Sequence, residues 1–195
     1  MNRVTKLLLI SDVFSVSGFG LIQPILAIFI KDNLLGGQIY AAGFASMLFL
    51  LTKSCVQLPF SRYVDKHHHS RRWLILGTVL ITIVPFVYAF ATRVEHIYLA
   101  EVLYGVGSGL AYPTWLGLWS KNLSKDHQSF EWSLYSTVTG LSVAAAAAIG
   151  AVLVQFIGFK PTFFVVGLLS LVGCLILFLL QTNDTKKAGT RIPKI

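Results

Sequence analysis

A chain of 195 residues that is 55% hydrophobic and only 12% charged, with mean hydropathy +0.71, cannot build a water-facing surface; a soluble domain carries about 25% charged residues. The same arithmetic excludes disorder, coiled coil and a disulfide-stapled secreted fold. The net charge of +8 would suggest nucleic acid in a soluble protein, but here its placement along the chain is more informative than its size.

A helix crossing a hydrocarbon core of roughly 30 Å needs about 20 mostly apolar residues. Six such runs follow one another: Leu7–Ile30, Tyr40–Phe60, Trp73–Ala91, Ile97–Trp119, Trp132–Ile157 and Thr162–Leu180. They are continuous and do not alternate, so they predict helices rather than strands. The expected fold class is all-α: a polytopic membrane protein of six transmembrane helices, residues 1–195 forming one membrane domain with short tails at 1–5 and 182–195. The first run follows Arg3 and Lys6 as a signal peptide would. However, Ser11 and Asp12 interrupt it and it continues to Ile30, so it predicts a retained span. Cys55 and Cys174 lie inside apolar runs and read as small buried hydrophobes.

Orientation follows from the basic residues. With the N-terminus inside, the cytoplasmic segments hold Arg3, Lys6, Arg62, Lys66, Arg71, Arg72, Lys121, Lys125, Lys186, Lys187, Arg191 and Lys194. The outer segments hold only Lys31, Arg93 and Lys160. The positive-inside rule therefore places both termini in the cytoplasm of a cell or inner membrane, with the basic tail against anionic headgroups or simply solvated. The glycosylation patterns at Asn122 and Asn183 fall on the wrong side and are discounted.

The first and fourth spans repeat one pattern. Asp12-Val13 with Gly18, Gly20, Leu21 and Pro24 is matched by Glu101-Val102 with Gly107, Gly109, Leu110 and Pro113. Three helices separate the copies, so they cross in opposite directions, and a 3+3 inverted repeat is expected. Spans two and five do not align at this offset. Asp12 would lie near the inner mouth and Glu101 near the outer mouth of a central crevice. Both are proton- or cation-site candidates, since charges at membrane depth normally face the bundle interior. Lys53 adds a third charge, roughly two turns from the inner end of span two. Gln23, Lys53, Gln57, Ser108 and Tyr112 are cavity-lining candidates; Glu101, Tyr104, Ser108 and Tyr112 form one helical stripe. Snorkelling to the interface is the competing reading for Asp12 and Lys53, and an interfacial cap for Glu101. Spans three and six are almost purely apolar and are expected to face lipid, leaving one, two, four and five toward protein or water.

These features resemble the N-terminal six-helix half of a major facilitator superfamily transporter, over about residues 5–182. The first span resembles the opening helix of the drug/proton antiporter branch. The loop Ser61-Arg62-Tyr63-Val64-Asp65-Lys66-His67-His68-His69-Ser70-Arg71-Arg72 is similar to the family's Gly-x-x-x-Asp-Arg/Lys-x-Gly-Arg-Arg signature, with Ser61 for the first Gly, the second Gly missing and two extra residues. The resemblance implies that Asp65, Lys66, Arg71 and Arg72 form a cytoplasmic gate. Gly158-Phe-Lys160-Pro-Thr-Phe163 resembles the family's start to the sixth span. Glu101 stands where the family's fourth-span motif carries Arg, and Ala146-Ala147-x-x-Gly150-Ala151 only partly matches the antiporter signature of span five. Family members usually carry twelve spans in two halves. A six-span chain then implies a homodimer or a separate C-terminal half.

The function expected is secondary active transport of a small solute by alternating access. The alternatives are a non-transporting membrane scaffold, a truncated carrier fragment or a channel. An enzyme is not expected: His67, His68, His69, His96 and His127 all lie in or beside loops, and no nucleotide, protease or metal motif appears. The His67–His69 run reads as a solvated loop, and no metal or other cofactor is called for.

Overall fold

The computed structural model describes residues 1–66 and 70–180. Its helices are α1 (Arg3–Asn33), α2 (Ile39–Lys66), α3 (Ser70–Phe90), α4 (Val94–Asn122), α5 (Gln128–Ile157) and α6 (Phe159–Leu177). Each expected span is present, and most helices outrun their apolar core because polar flanks continue the hydrogen-bond ladder. Among the described residues, five helices are long and apolar enough to cross a membrane. The other, α4, has the length with 29 residues, but Glu95, Glu101 and its Gly, Ser and Tyr residues dilute its hydropathy. The protein is an all-α, multi-pass membrane protein. The expected basic tail at 182–195 and the His67–His69 run lie outside the described residues.

Local chemistry sets the helix ends. Asn2 caps α1, its side-chain oxygen accepting from Thr5 N at 2.9 Å. Only Gly158 separates α5 from α6, at φ 82° and ψ 176°. That backbone region is essentially restricted to glycine. The helices are tied at both ends of the bundle. At one end, Leu35 N donates to Thr92 O and Val94 N to Leu35 O, pinning the α1–α2 loop to the α3–α4 loop. At the other, Asn2 donates to Asn122, and the buried Glu131 carboxylate lies 2.9 Å from the Met1 α-amino group and accepts from Ser124 Oγ at 2.7 Å.

The packing pattern is reciprocal. The first helix of each repeat leaves its own unit: α1 packs chiefly on α5 and α6, while α4 packs on α2 and α3. The glycines of the shared motif show that this is one register used twice. A Cβ built on Gly18 would meet Val166 and Ser170 of α6; on Gly107 it would meet Gly77 and Ile81 of α3. A Cβ on Gly20 would meet Val143 and Ala146 of α5; on Gly109, Val56 and Gln57 of α2. The partners on α6 and α3 stand 89 residues apart, the same interval that separates Asp12 from Glu101. Spans two and five share no side-chain pattern at that interval, yet Gln57 and Ala146 occupy equivalent contacts. The inverted repeat therefore extends over all six helices, in backbone approach rather than in residue identity.

Burial is uneven around the bundle. In their most apolar stretches α3 and α6 are 44% buried and α1 is 39% buried, but α2 and α5 only 11%. The outer faces of α3 and α6 show Leu76, Val79, Ile83, Leu168, Leu171 and Leu175, as lipid contact requires. The faces of α2 and α5 expose Tyr40, Phe44, Met47, Leu50, Leu141, Ile149 and Phe156 on helices that little else in the chain covers.

Candidate functional site

Residues from every helix line a cavity of about 420 Å³. Asp12 and Glu101, from the two copies of the motif, both border it. Each carboxylate accepts from a tyrosine of the opposite repeat: Tyr135 Oη donates to Asp12 Oδ2 at 2.7 Å, and Tyr88 Oη to Glu101 Oε1 at 2.7 Å. Glu101 is 5% exposed, buried among protein side chains. Hydrogen bonding is the condition for a buried carboxyl group, and a phenol donor supplies it without a second charge.

Between these pairs the wall is aromatic. Tyr104 is stacked between Phe19 of α1 and Phe49 of α2, with ring centroids 4.4 Å away on either side. Below it Trp115, Trp119, Trp132 and Tyr135 form a continuous ring cluster joining α4 to α5. Such stacking fixes the wall by area and geometry; both faces of Tyr104 are covered, and Phe19 and Phe49 border the cavity on either side of it.

The remaining sequence candidates are distributed as follows. Gln23, Lys53, Ser108 and Tyr112 border the same cavity, and the whole Glu101–Tyr104–Ser108–Tyr112 stripe faces it. Gln57 is not among the lining residues; its backbone packs where Gly109 brings α4 close to α2. Because α2 runs on to Lys66, Lys53 falls at its midpoint, about 20 Å from either end at ~1.5 Å per residue. Asp65 and Lys66 end α2, exposed, and Arg71 and Arg72 open α3. Among the described residues no basic nitrogen lies within 4.0 Å of Asp65. The Arg71 guanidinium instead donates to the carbonyl of Phe178, past the end of α6. Sequence reasoning missed Tyr88 and Tyr135 because a lone tyrosine in an apolar span usually packs, and nothing local points to a partner 13 or 123 residues away.

The family model described as Major Facilitator Superfamily matches residues 8–194. The chain belongs to the major facilitator superfamily. The quinolone resistance protein NorA of Staphylococcus aureus is 22% identical over 191 residues, 97% of this chain and 48% of that protein. The tetracenomycin C resistance and export protein of Streptomyces glaucescens is 27% identical over 149 residues, 75% of this chain and 26% of its own length. The proton-coupled antiporter flippase LtaA of Staphylococcus saprophyticus is 26% identical over 113 residues, 57% of this chain and 26% of its own. This major facilitator chain thus spans between a quarter and a half of the curated relatives it matches. Its fold is similar to the crystal structure of the POT family transporter PepTSo, with TM-score 0.79 at 15% identity over 92% of this chain and 37% of that one.

Proposed function

We propose that this chain forms one six-helix half of a secondary carrier that moves a small solute across the plasma or inner membrane by alternating access. The observation that carries the reading is the convergence of Asp12 and Glu101, one from each copy of the repeat, on a single aromatic-walled cavity. Ionisable side chains at membrane depth are costly, about 2.5–3.5 kcal/mol on insertion scales, and mark ion or substrate pathways. In this reading Asp12 and Glu101 are the proton or cation sites, and Gln23, Lys53, Ser108 and Tyr112 contact the solute. Asp65, Lys66, Arg71 and Arg72 gate the cytoplasmic side, with both termini inside by the positive-inside rule.

The second half docks on α2 and α5. Their apolar faces are the least covered in the bundle, and both helices contribute to the cavity lining, α2 with Ser46, Phe49 and Lys53 and α5 with Tyr135 and Val143. A second copy of the chain in the same orientation, or a separate C-terminal six-helix polypeptide, would cover those faces. Residues 1–195 act as one domain in either assembly. The test is reconstitution into proteoliposomes, as the assembled dimer or with the second half. Uptake of norfloxacin, a quinolone, and of 2-naphthoate is measured under a pH gradient for wild type, Asp12→Asn and Glu101→Gln. Movement in wild type and loss in both variants is expected. No movement of either solute in assembled preparations would overturn the transport reading, and undiminished movement in the variants would overturn the roles given to the two acids.

A further inference from the structure

We infer that Lys53 is the anion-binding residue of the cavity, and that the solute is an amphipathic molecule carrying a carboxylate, phosphate or sulfate group beside an aromatic or apolar body. The inference rests on the carrier reading above and names its substrate class.

Three charged side chains border the cavity, and they are not treated alike. Asp12 and Glu101 each hold a tyrosine hydroxyl. Lys53 holds nothing polar: among the described residues no carboxylate lies within 4.0 Å of its Nζ and no acceptor takes its donors. Its neighbours are ring faces instead, Tyr112 of α4 at 5.0 Å and Phe49, one turn earlier on α2, at 5.8 Å. Two aromatic faces make the site tolerable for a cation without neutralising it or occupying its three N–H donors. Phe49 and Tyr112 hold the ammonium group on the cavity side of α2, among the lining residues.

The side chain is also held in place. Gly105 brings the backbone of α4 against α2 at this level; a Cβ there would lie 2.7 Å from Thr52, 2.8 Å from Phe49 O and 3.0 Å from Lys53 N. The root of the side chain is thereby fixed against α4, and the nearest ring of that helix is Tyr112. The repeat supplies an internal comparison. The position equivalent to Lys53 in the second repeat is Ser142, so the cation stands on one side of the cavity only. A solute with one anionic end would bind in a defined direction, its apolar body along Phe19, Phe49 and Tyr104. An ammonium at membrane depth with free donors beside an aromatic slab matches that combination, and a purely cationic solute would have no use for it.

The anionic group could belong to a soluble amphiphile or to a lipid headgroup entering sideways, and the experiment separates the two. Binding of 2-naphthoate and of the neutral 2-naphthylmethanol to the purified, assembled protein is measured by calorimetry for wild type, Lys53→Gln and Lys53→Arg. We expect wild type to favour the anion by about tenfold or more, as one charge-assisted hydrogen bond supplies. Lys53→Gln should remove the preference and Lys53→Arg should keep it. As a readout that needs no variant, 2-naphthoate should protect Lys53 from trinitrobenzenesulfonate, followed by peptide mass. Displacement of 2-naphthoate by phosphatidylglycerol in phosphatidylcholine nanodiscs would assign the anion to a lipid, and no displacement to a soluble solute. Equal affinity for both probes in wild type, a preference that survives Lys53→Gln, or no protection of Lys53 would overturn the inference. The carrier reading would then still stand or fall on solute movement in proteoliposomes.

Discussion

The motif glycines provide a test of the packing in which the same residue, at the same place in two repeats, should respond in opposite ways. A Cβ on Gly107 would lie 2.8 Å from Gly77 O and 3.1 Å from Ile81 N, both backbone atoms of α3. On Gly18 the nearest atoms are at 3.4 Å, Ser170 Oγ and Val166 O. The cause is visible one position across the interface: α3 presents Gly77 where α6 presents Val166, so α3 and α4 meet backbone to backbone while α1 and α6 stand further apart. Overpacking a tight contact costs ~1–3 kcal/mol, against ~0.5–1 kcal/mol gained by replacing a helical glycine with alanine. Gly107→Ala should therefore lose roughly 1–2 kcal/mol net, and Gly18→Ala should be neutral or slightly stabilising. For a chain of this size each kcal/mol moves the midpoint by ~2–4 °C, so the two Tm values should differ by at least about 2 °C in detergent. Tryptophan fluorescence during heating reads this directly. Equal Tm shifts for the two variants would refute the geometry of the α3–α4 contact.

Three further outcomes follow from single contacts. Tyr88→Phe leaves the Glu101 carboxyl buried without its donor and should cost ~1–3 kcal/mol, whereas the double change Tyr88→Phe with Glu101→Leu should recover most of that loss in the same melting assay. Gly158→Ala forces a side chain into the glycine-only backbone region at the α5–α6 junction and should cost ~1–3 kcal/mol, read as a lower Tm and faster proteolysis at that junction. Arg71→Ala removes the donor to the Phe178 carbonyl and should lower stability by ~1 kcal/mol, partly screened at the membrane surface, while Arg72→Ala, which is exposed, should leave the Tm unchanged.

Much of the fold was legible because lipid imposes a simple demand: every long apolar run must close its own hydrogen bonds as a helix. Leu7–Ile30 and Trp73–Ala91 could hardly be anything else. The repeat was visible where it is written in side chains, from Asp12 to Pro24 and Glu101 to Pro113. It was invisible in α2 and α5, where Gln57 and Ala146 hold the same place with nothing in common but a close backbone. The site divided along the same line. Asp12, Glu101, Gln23, Ser108 and Tyr112 stand out as polar residues in apolar surroundings, but Tyr88 and Tyr135 acquire their meaning only from helices brought beside them. Lys53 lies about two turns before Phe60, where the apolar run stops, while the helix goes on through Arg62 to Lys66, because hydropathy marks the end of the oil rather than the end of the helix.

The exchange of first helices between the repeats bears on how the protein is made. α1 emerges from the ribosome before α5 and α6, yet the surfaces it packs against belong to those two helices. Nearly a hundred residues separate the end of α1 from the start of α5, so at ~5–20 residues per second α1 waits roughly 5–20 s in the bilayer with Asp12 unmet by Tyr135. During that interval α1 carries an acid without its hydroxyl donor, and the insertion machinery must shelter it until α5 arrives.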